Sequence, residues 1–177
     1  ITHEKQTPSV STQNADLSYD VTYLVVVENE GGAEGSYDLF DIPSFDDDIV
    51  INSGSFTSTN GQSGILSMTN GVTNELADDQ LLAGETIDTF TVVFNVTLDL
   101  TETSIDGGDN TYDECGAANG AGSPSANEGL FNTSTLDLDN DGTPEETSEV
   151  CGDLPYVTHE KTGPTVSTQN PDLSYDI

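Results

Sequence analysis

Arginine is absent from the 177-residue chain and lysine occurs only at Lys5 and Lys161, against 33 Asp and Glu, for a formal charge of -31. That balance excludes nucleic-acid binding, because neutralising a phosphate backbone takes clustered Lys and Arg. It argues equally against docking on an anionic membrane face. No apolar run approaches the roughly 18 to 20 residues of a membrane-spanning helix, so direct membrane insertion is not expected. The opening residues also lack the basic stretch and apolar run of a secretion signal. The partners that suit such a surface are cations, or surfaces that tolerate a strongly negative field.

Cysteine is scarce as well. Cys115 and Cys151 fit neither a metal-binding nor a redox spacing. In an exported chain the expectation is one disulfide, and closing a loop of that size stabilises a fold by roughly 3 to 4 kcal/mol. Two buried free thiols are the alternative, better suited to a cytosolic protein.

A hydrophobic fraction of 33% with this charge is a composition that often stays disordered. The apolar residues, however, fall in alternating runs. Tyr19, Val21, Tyr23, Val25 and Val27 form one face of a strand, and Phe90, Val92, Phe94, Val96 and Leu98 form the apolar face of another within Ile87 to Leu100. A period of two marks strands with one buried face. Further strands are expected at 36–42, 49–51, 65–68, 129–138 and 146–151, separated by turns rich in Gly, Asn, Ser and Asp. No segment has a clear helical period, and 74–82 is the best candidate for a single helical turn. The expected class is all-β, a sandwich of immunoglobulin-like character.

The chain also repeats itself. Residues 1–21 read ITHEKQTPSVSTQNADLSYDV and residues 157–177 read VTHEKTGPTVSTQNPDLSYDI, identical at 15 of 21 positions. The expected organisation is one sandwich repeat over 1–156, with 157–177 as the linker and first strand of the next tandem repeat. Glu160, Asp172 and Asp176 lie in the second copy, which leaves 30 acids and one lysine to residues 1–156.

The ordered set of Thr-His-Glu-Lys, LSYDVTYLVVVENEGG, YDLFDIP, LLAGETIDTFTVVFNVTL, EGLFNTSTL and VCGDLP resembles the tandem Ig-like repeats of long bacterial and archaeal cell-surface proteins. The resemblance implies a stalk or fibre module of a surface filament or adhesin, located outside the cell and without enzymatic activity. The sequence repeat points to neighbouring repeats of the same polymer as partners, and the short join between Cys151 and Thr158 adds the hypothesis of strand complementation between units. The competing reading is a calcium-dependent adhesin module that binds a surface glycan through its acidic loops.

Candidate sites follow from the acids and asparagines. Asp137, Asp139 and Asp141, with Gly142, match the first half of an EF-hand-type calcium loop, and Glu145 offers a further oxygen. Position 12 of that loop is Ser148 rather than the bidentate Glu, so a plain Asn-Asp-Gly hairpin turn competes with it. Asp106, Asp109, Asn110, Asp113 and Glu114 form a weaker cluster beside Cys115. The contiguous run Asp46-Asp47-Asp48 would alternate faces in an extended strand.

Asn95 and Asn132 head N-x-S/T sequons and are candidate glycan acceptors. Lys5 has two readings. One is an ion pair with a nearby carboxylate such as Glu4. The other is an internal amide to a late asparagine such as Asn132, with no acid identified to assist it. His3 and His159, at matching places in the two copies, suit a structural role near a junction between units. No serine or cysteine has the partner histidine and orienting acid of a hydrolase.

Self-repulsion among so many carboxylates opposes compaction, and salt screens it. Thermal melts are expected to shift upward with sodium chloride and with millimolar calcium; curves that superimpose across salt and chelator would contradict this.

Overall fold

The computed structural model describes residues 1–101, Tyr112, Cys115 and residues 126–155. Among these, ten strands and no helix are found: β1 (Thr2–Lys5), β2 (Ser9–Val10), β3 (Tyr19–Asn29), β4 (Gly35–Pro43), β5 (Ile49–Ser58), β6 (Ser63–Ile65), β7 (Asn74–Leu82), β8 (Thr86–Leu98), β9 (Asn132–Asp137) and β10 (Glu146–Val150). One sheet runs β1-β3-β8-β5-β6, with β2 also paired to β3, and the other runs β10-β9-β4-β7. All the pairings are antiparallel. The chain is a β-sandwich.

Alternation along β3 and β8 makes the core. The two strands pair from Tyr19 opposite Val96 to Asn29 opposite Thr86, which sets both apolar rows on the same face of the sheet. Val21, Tyr23, Val25, Val27, Phe90, Val92, Phe94 and Val96 are all fully buried. The second sheet answers with Tyr37, Leu39 and Leu136. Phe45, from the β4–β5 connection, packs its ring edge-on to Phe94 at 5.5 Å and stacks on Tyr23 at 6.3 Å. Tyr23 places its hydroxyl where it donates to the Leu130 carbonyl at 2.7 Å, so the most central aromatic of the core leaves no buried donor unmade.

The strands expected at 36–42, 87–100, 129–138 and 146–151 are present with small shifts in their ends, but β5 runs on from 49–51 to Ser58, the strand expected at 65–68 lies at Ser63–Ile65, and one segment differs in kind. Residues 74–82 form β7 rather than a helical turn. The periodicity there is broken by a register shift in the β4–β7 pairing, and Asp79 adopts φ 46°. A bulge of this kind places two residues opposite one and interrupts the alternation that announces a strand. Asp38 of β4 holds the bulge by accepting the Asp79 N–H at 2.5 Å.

Turn chemistry explains two close approaches. Gly84 lies against the β3–β4 turn, where an added Cβ would sit 2.6 Å from the Gly31 carbonyl oxygen. Asn140 and Gly142 both take positive φ in the β9–β10 hairpin, as the Asn-Asp-Gly sequence favours. Cys115 and Cys151 are joined by a disulfide with Cα atoms 5.7 Å apart.

Phe94→Ala is expected to cost about 3 to 5 kcal/mol, through lost transfer energy and a cavity beside Tyr23 and Phe45. Ile65→Ala, at a side chain 91% exposed, should change stability by less than about 0.5 kcal/mol. Urea denaturation of both variants checks the contrast.

Candidate functional site

The only basic side chain of residues 1–156 lies in the core. β1 pairs with β3, Lys5 opposite Val25, and the Lys5 ammonium crosses to the other sheet to form an ion pair with Asp41 of β4. Both side chains are fully buried. The second carboxylate oxygen of Asp41 accepts from Asn132 Nδ2 at 3.2 Å, and Nζ sits 4.9 Å from the centroid of the Tyr23 ring. Asn132 Oδ1 is buried with no hydrogen-bond partner among the described residues, an arrangement that costs about 1 to 3 kcal/mol.

Burial pushes the Lys5 pKa down, and the charge and hydrogen bond of Asp41 oppose that shift. Of the two sequence readings of Lys5, Asp41 rather than Glu4 is the ion-pair partner. Asp41 was absent from the candidate residues, although it falls in phase with Tyr37 and Leu39 on the buried face of β4.

β1 is held to both sheets. His3 packs its ring inside the sandwich, with Nε2 3.1 Å from Ser134 Oγ and Nδ1 3.3 Å from Glu146 Oε2. The backbone N–H groups of His3 and Lys5 donate to Glu146 Oε2 and Ser148 Oγ, each at 2.9 Å. The structural role expected of His3 is therefore exercised within the unit, between β1 and the β9–β10 hairpin.

Among the described residues six aspartates are buried: Asp38, Asp41, Asp46, Asp48, Asp88 and Asp137. Asp88 shows how a carboxylate is accommodated without a cation. It accepts from the Tyr37 hydroxyl at 2.9 Å, the Thr59 hydroxyl at 2.9 Å and the Asn60 N–H at 3.1 Å. The Tyr37 pKa is raised well beyond its ordinary value by burial and then by the charge and hydrogen bond of Asp88. The Tyr23 pKa is likewise raised, by burial first and the Asp41 charge second.

The structure brings Asp137, Asp139 and Glu145 together, with one carboxylate oxygen of each within 4.8 Å of the others, and leaves Asp141 outside that group. The loop is largely closed on itself. Asp137 accepts from the N–H groups of Asp139, Asn140 and Gly142, Glu145 accepts from Leu138 N–H at 2.6 Å, and Asp141 accepts from Thr143 N–H at 2.7 Å. These are bonds that the competing hairpin turn also makes. β9 and β10 pair on either side of it as that reading requires.

Asp46, Asp47 and Asp48 also converge, to within 4.8 Å. They do so because the run is a turn and not an extended strand: Ile49 N–H donates to the Asp46 carbonyl and Asp48 N–H to Asp46 Oδ1. The expected alternation of faces is thereby replaced by two buried carboxylates flanking a half-buried one. Asp106, Asp109, Asn110, Asp113 and Glu114 lie outside the described residues, as do His159 and the segment 157–177.

The sequons fare differently from each other. Asn132 is fully buried at the start of β9, with its Nδ2, the atom a glycan would occupy, donating to Asp41. Asn95, in the central strand β8, is half-buried. Its Nδ2, the atom a glycan would occupy, donates to Asp20 Oδ1 at 2.8 Å and Ser18 Oγ at 3.0 Å. A glycan would have to break both bonds.

A surface cleft of about 430 Å³ lies between the β5–β6 and β7–β8 turns, lined by residues that include Glu34, Asn60, Leu81 and Ile87 and by no aromatic ring. No family model matches the chain, and no curated protein matches it significantly. No helix among the described residues is long and apolar enough to cross a membrane.

The raised tyrosine values set an alkaline limit. Below the unfolded pKa of about 10 the buried phenols contribute their full stability. Above it the unfolded chain ionises while the folded one does not, so stability is lost as pH rises. Spectrophotometric titration is expected to show Tyr23 and Tyr37 ionising only together with loss of the β-sheet circular dichroism signal, and Tyr37→Phe should flatten the alkaline fall.

Proposed function

We propose that the chain is a structural repeat unit, Ig-like in character, of a secreted, surface-attached fibre or adhesin stalk. The observation that carries this reading is the recurrence of the opening segment. Residues 1–21 supply β1, β2 and the start of β3 of the described sandwich, and a sequence identical to them at 15 of 21 positions returns at 157–177. A chain that repeats the sequence of its opening strands directly after a sandwich reads as a row of sandwiches. Only Gly152 to Val157 separate Cys151 from the second Thr-His-Glu, too few residues for a flexible tether, and Pro155 stiffens the passage.

The disulfide supports an oxidising location outside the cell. The absence of arginine and the acid-rich surface support a polymer kept extended and soluble by self-repulsion. Neighbouring units are the natural partners. Strand complementation between them would have to reckon with the edge of β3, which the unit's own β1 and β2 already fill. An added opening strand would displace them or use another edge. The glycan-binding alternative draws no support from the cleft, which lacks the aromatic platform that sugars stack on.

Electron microscopy of a recombinant chain carrying several repeats in tandem tests the reading. Evenly spaced beads along an extended axis are expected; compact clusters or beads on slack, variable tethers would refute it.

A further inference from the structure

Lys5, Asp41 and Asn132 are three groups that react when brought together dry, and the fold brings them together dry. An amine, a carboxylate and a primary amide share one enclosed space, with the two oxygens of Asp41 holding one reactant each. Lys5 and Asn132 come from opposite sheets and lie 127 positions apart in sequence, so only the finished sandwich assembles them. We propose that Lys5 and Asn132 become joined by an isopeptide bond between Nζ and Cγ, formed within the folded unit with Asp41 as the proton carrier.

The step balances without an outside reagent. Asp41 takes the extra proton of the Lys5 ammonium and leaves a neutral amine. The Nζ lone pair forms a bond to Asn132 Cγ. A second Nζ proton passes through the Asp41 carboxyl to Nδ2, the Cγ–Nδ2 bond breaks, and ammonia departs. The product is a secondary amide, with Asp41 left carrying the first proton as a neutral acid. Nothing is oxidised and no water is consumed.

Each feature of the site fits a part of this sequence. Burial favours the neutral amine that must attack. The Tyr23 ring covers Nζ and keeps water from competing. The unpartnered Asn132 Oδ1 is free to receive developing charge, and a half-turn of the amide would present it to the protonated Asp41. Fixing amine and amide on one carboxylate supplies the proximity that makes an otherwise sluggish amide exchange proceed. Charge bookkeeping points the same way. With 30 acids to one lysine over residues 1–156, a lysine kept for ion pairing would serve best at the surface, yet this one is placed where it screens none of the exposed carboxylates.

The inference is independent of the fibre reading. It would, however, serve a stalk directly, since a bond from the first strand to β9 carries tension past everything between residues 5 and 132.

Mass spectrometry of the folded 177-residue chain, after disulfide reduction, decides the matter. The intact mass is expected to fall short of the sequence mass by one ammonia. Digestion after glutamate should release a branched peptide in which the segment beginning at Lys5 is joined to the one beginning at Gly129. A full sequence mass in soluble, β-rich protein would overturn the proposal. So would an ammonia deficit without the branched peptide, as succinimide closure at an asparagine gives. Asp41→Asn and Lys5→Met are expected to restore the full mass, and a deficit that survives in either overturns its assigned role. Should those variants fail to fold, the branched peptide in the unaltered chain still gives the answer.

Discussion

Lys5 leaves the edge strand of one sheet and ends against Asp41 of the other, and this buried contact joins the two halves of the sandwich. Charges withdrawn from water are costly, and their attraction offsets that cost only when the geometry is good and the remaining hydrogen bonds are made. Here Asp41 is satisfied on both oxygens, by Lys5 and by Asn132. Removing one partner of such a pair leaves an isolated buried charge, a loss of about 3 to 5 kcal/mol in comparable cases. The position of β1 depends on it, and with β1 go the contacts of His3 with Ser134 and Glu146.

The surrounding acids obey the same rule in other ways. Asp88 and Asp137 are buried with hydroxyl and backbone donors turned onto them. Hydrogen bonds to the charged form compensate for lost hydration, so a chain with almost no basic residues can still bury carboxylates. The other acids among the described residues lie mostly in turns and on outward faces, where they give the unit its field. In a row of such units that field would repeat at every step, opposing collapse between neighbours and between fibres.

Much of the fold was legible. The alternation in 19–27 and 90–98 identifies the two central strands and the face each buries, and Asn-Asp-Gly marks the β9–β10 hairpin. Strand β7 was not legible, because the bulge at Asp79 interrupts its period. The candidate site was legible only in fragments. Lys5 stands out as the one lysine of residues 1–156 and Asn132 as a late asparagine, but Asn132 also reads as a sequon. Nothing local reveals that it begins a strand on the inward phase of Ser134 and Leu136.

The amino-acid sequence by itself determined the all-β class, the inward face of the two central strands, the repeat and the extreme negative charge. These follow from composition and from a period of two, which are properties of neighbouring residues. Only the tertiary structure decided that Asp41 is the acid facing Lys5, that Asn132 is enclosed with them, and that Asp46 to Asp48 turn inward together. The physical reason is that alternation fixes which way a side chain points and says nothing of what lies opposite. That depends on how the two sheets stack, a packing outcome set by Tyr23, Phe45 and Phe94, which bring together residues far apart along the chain.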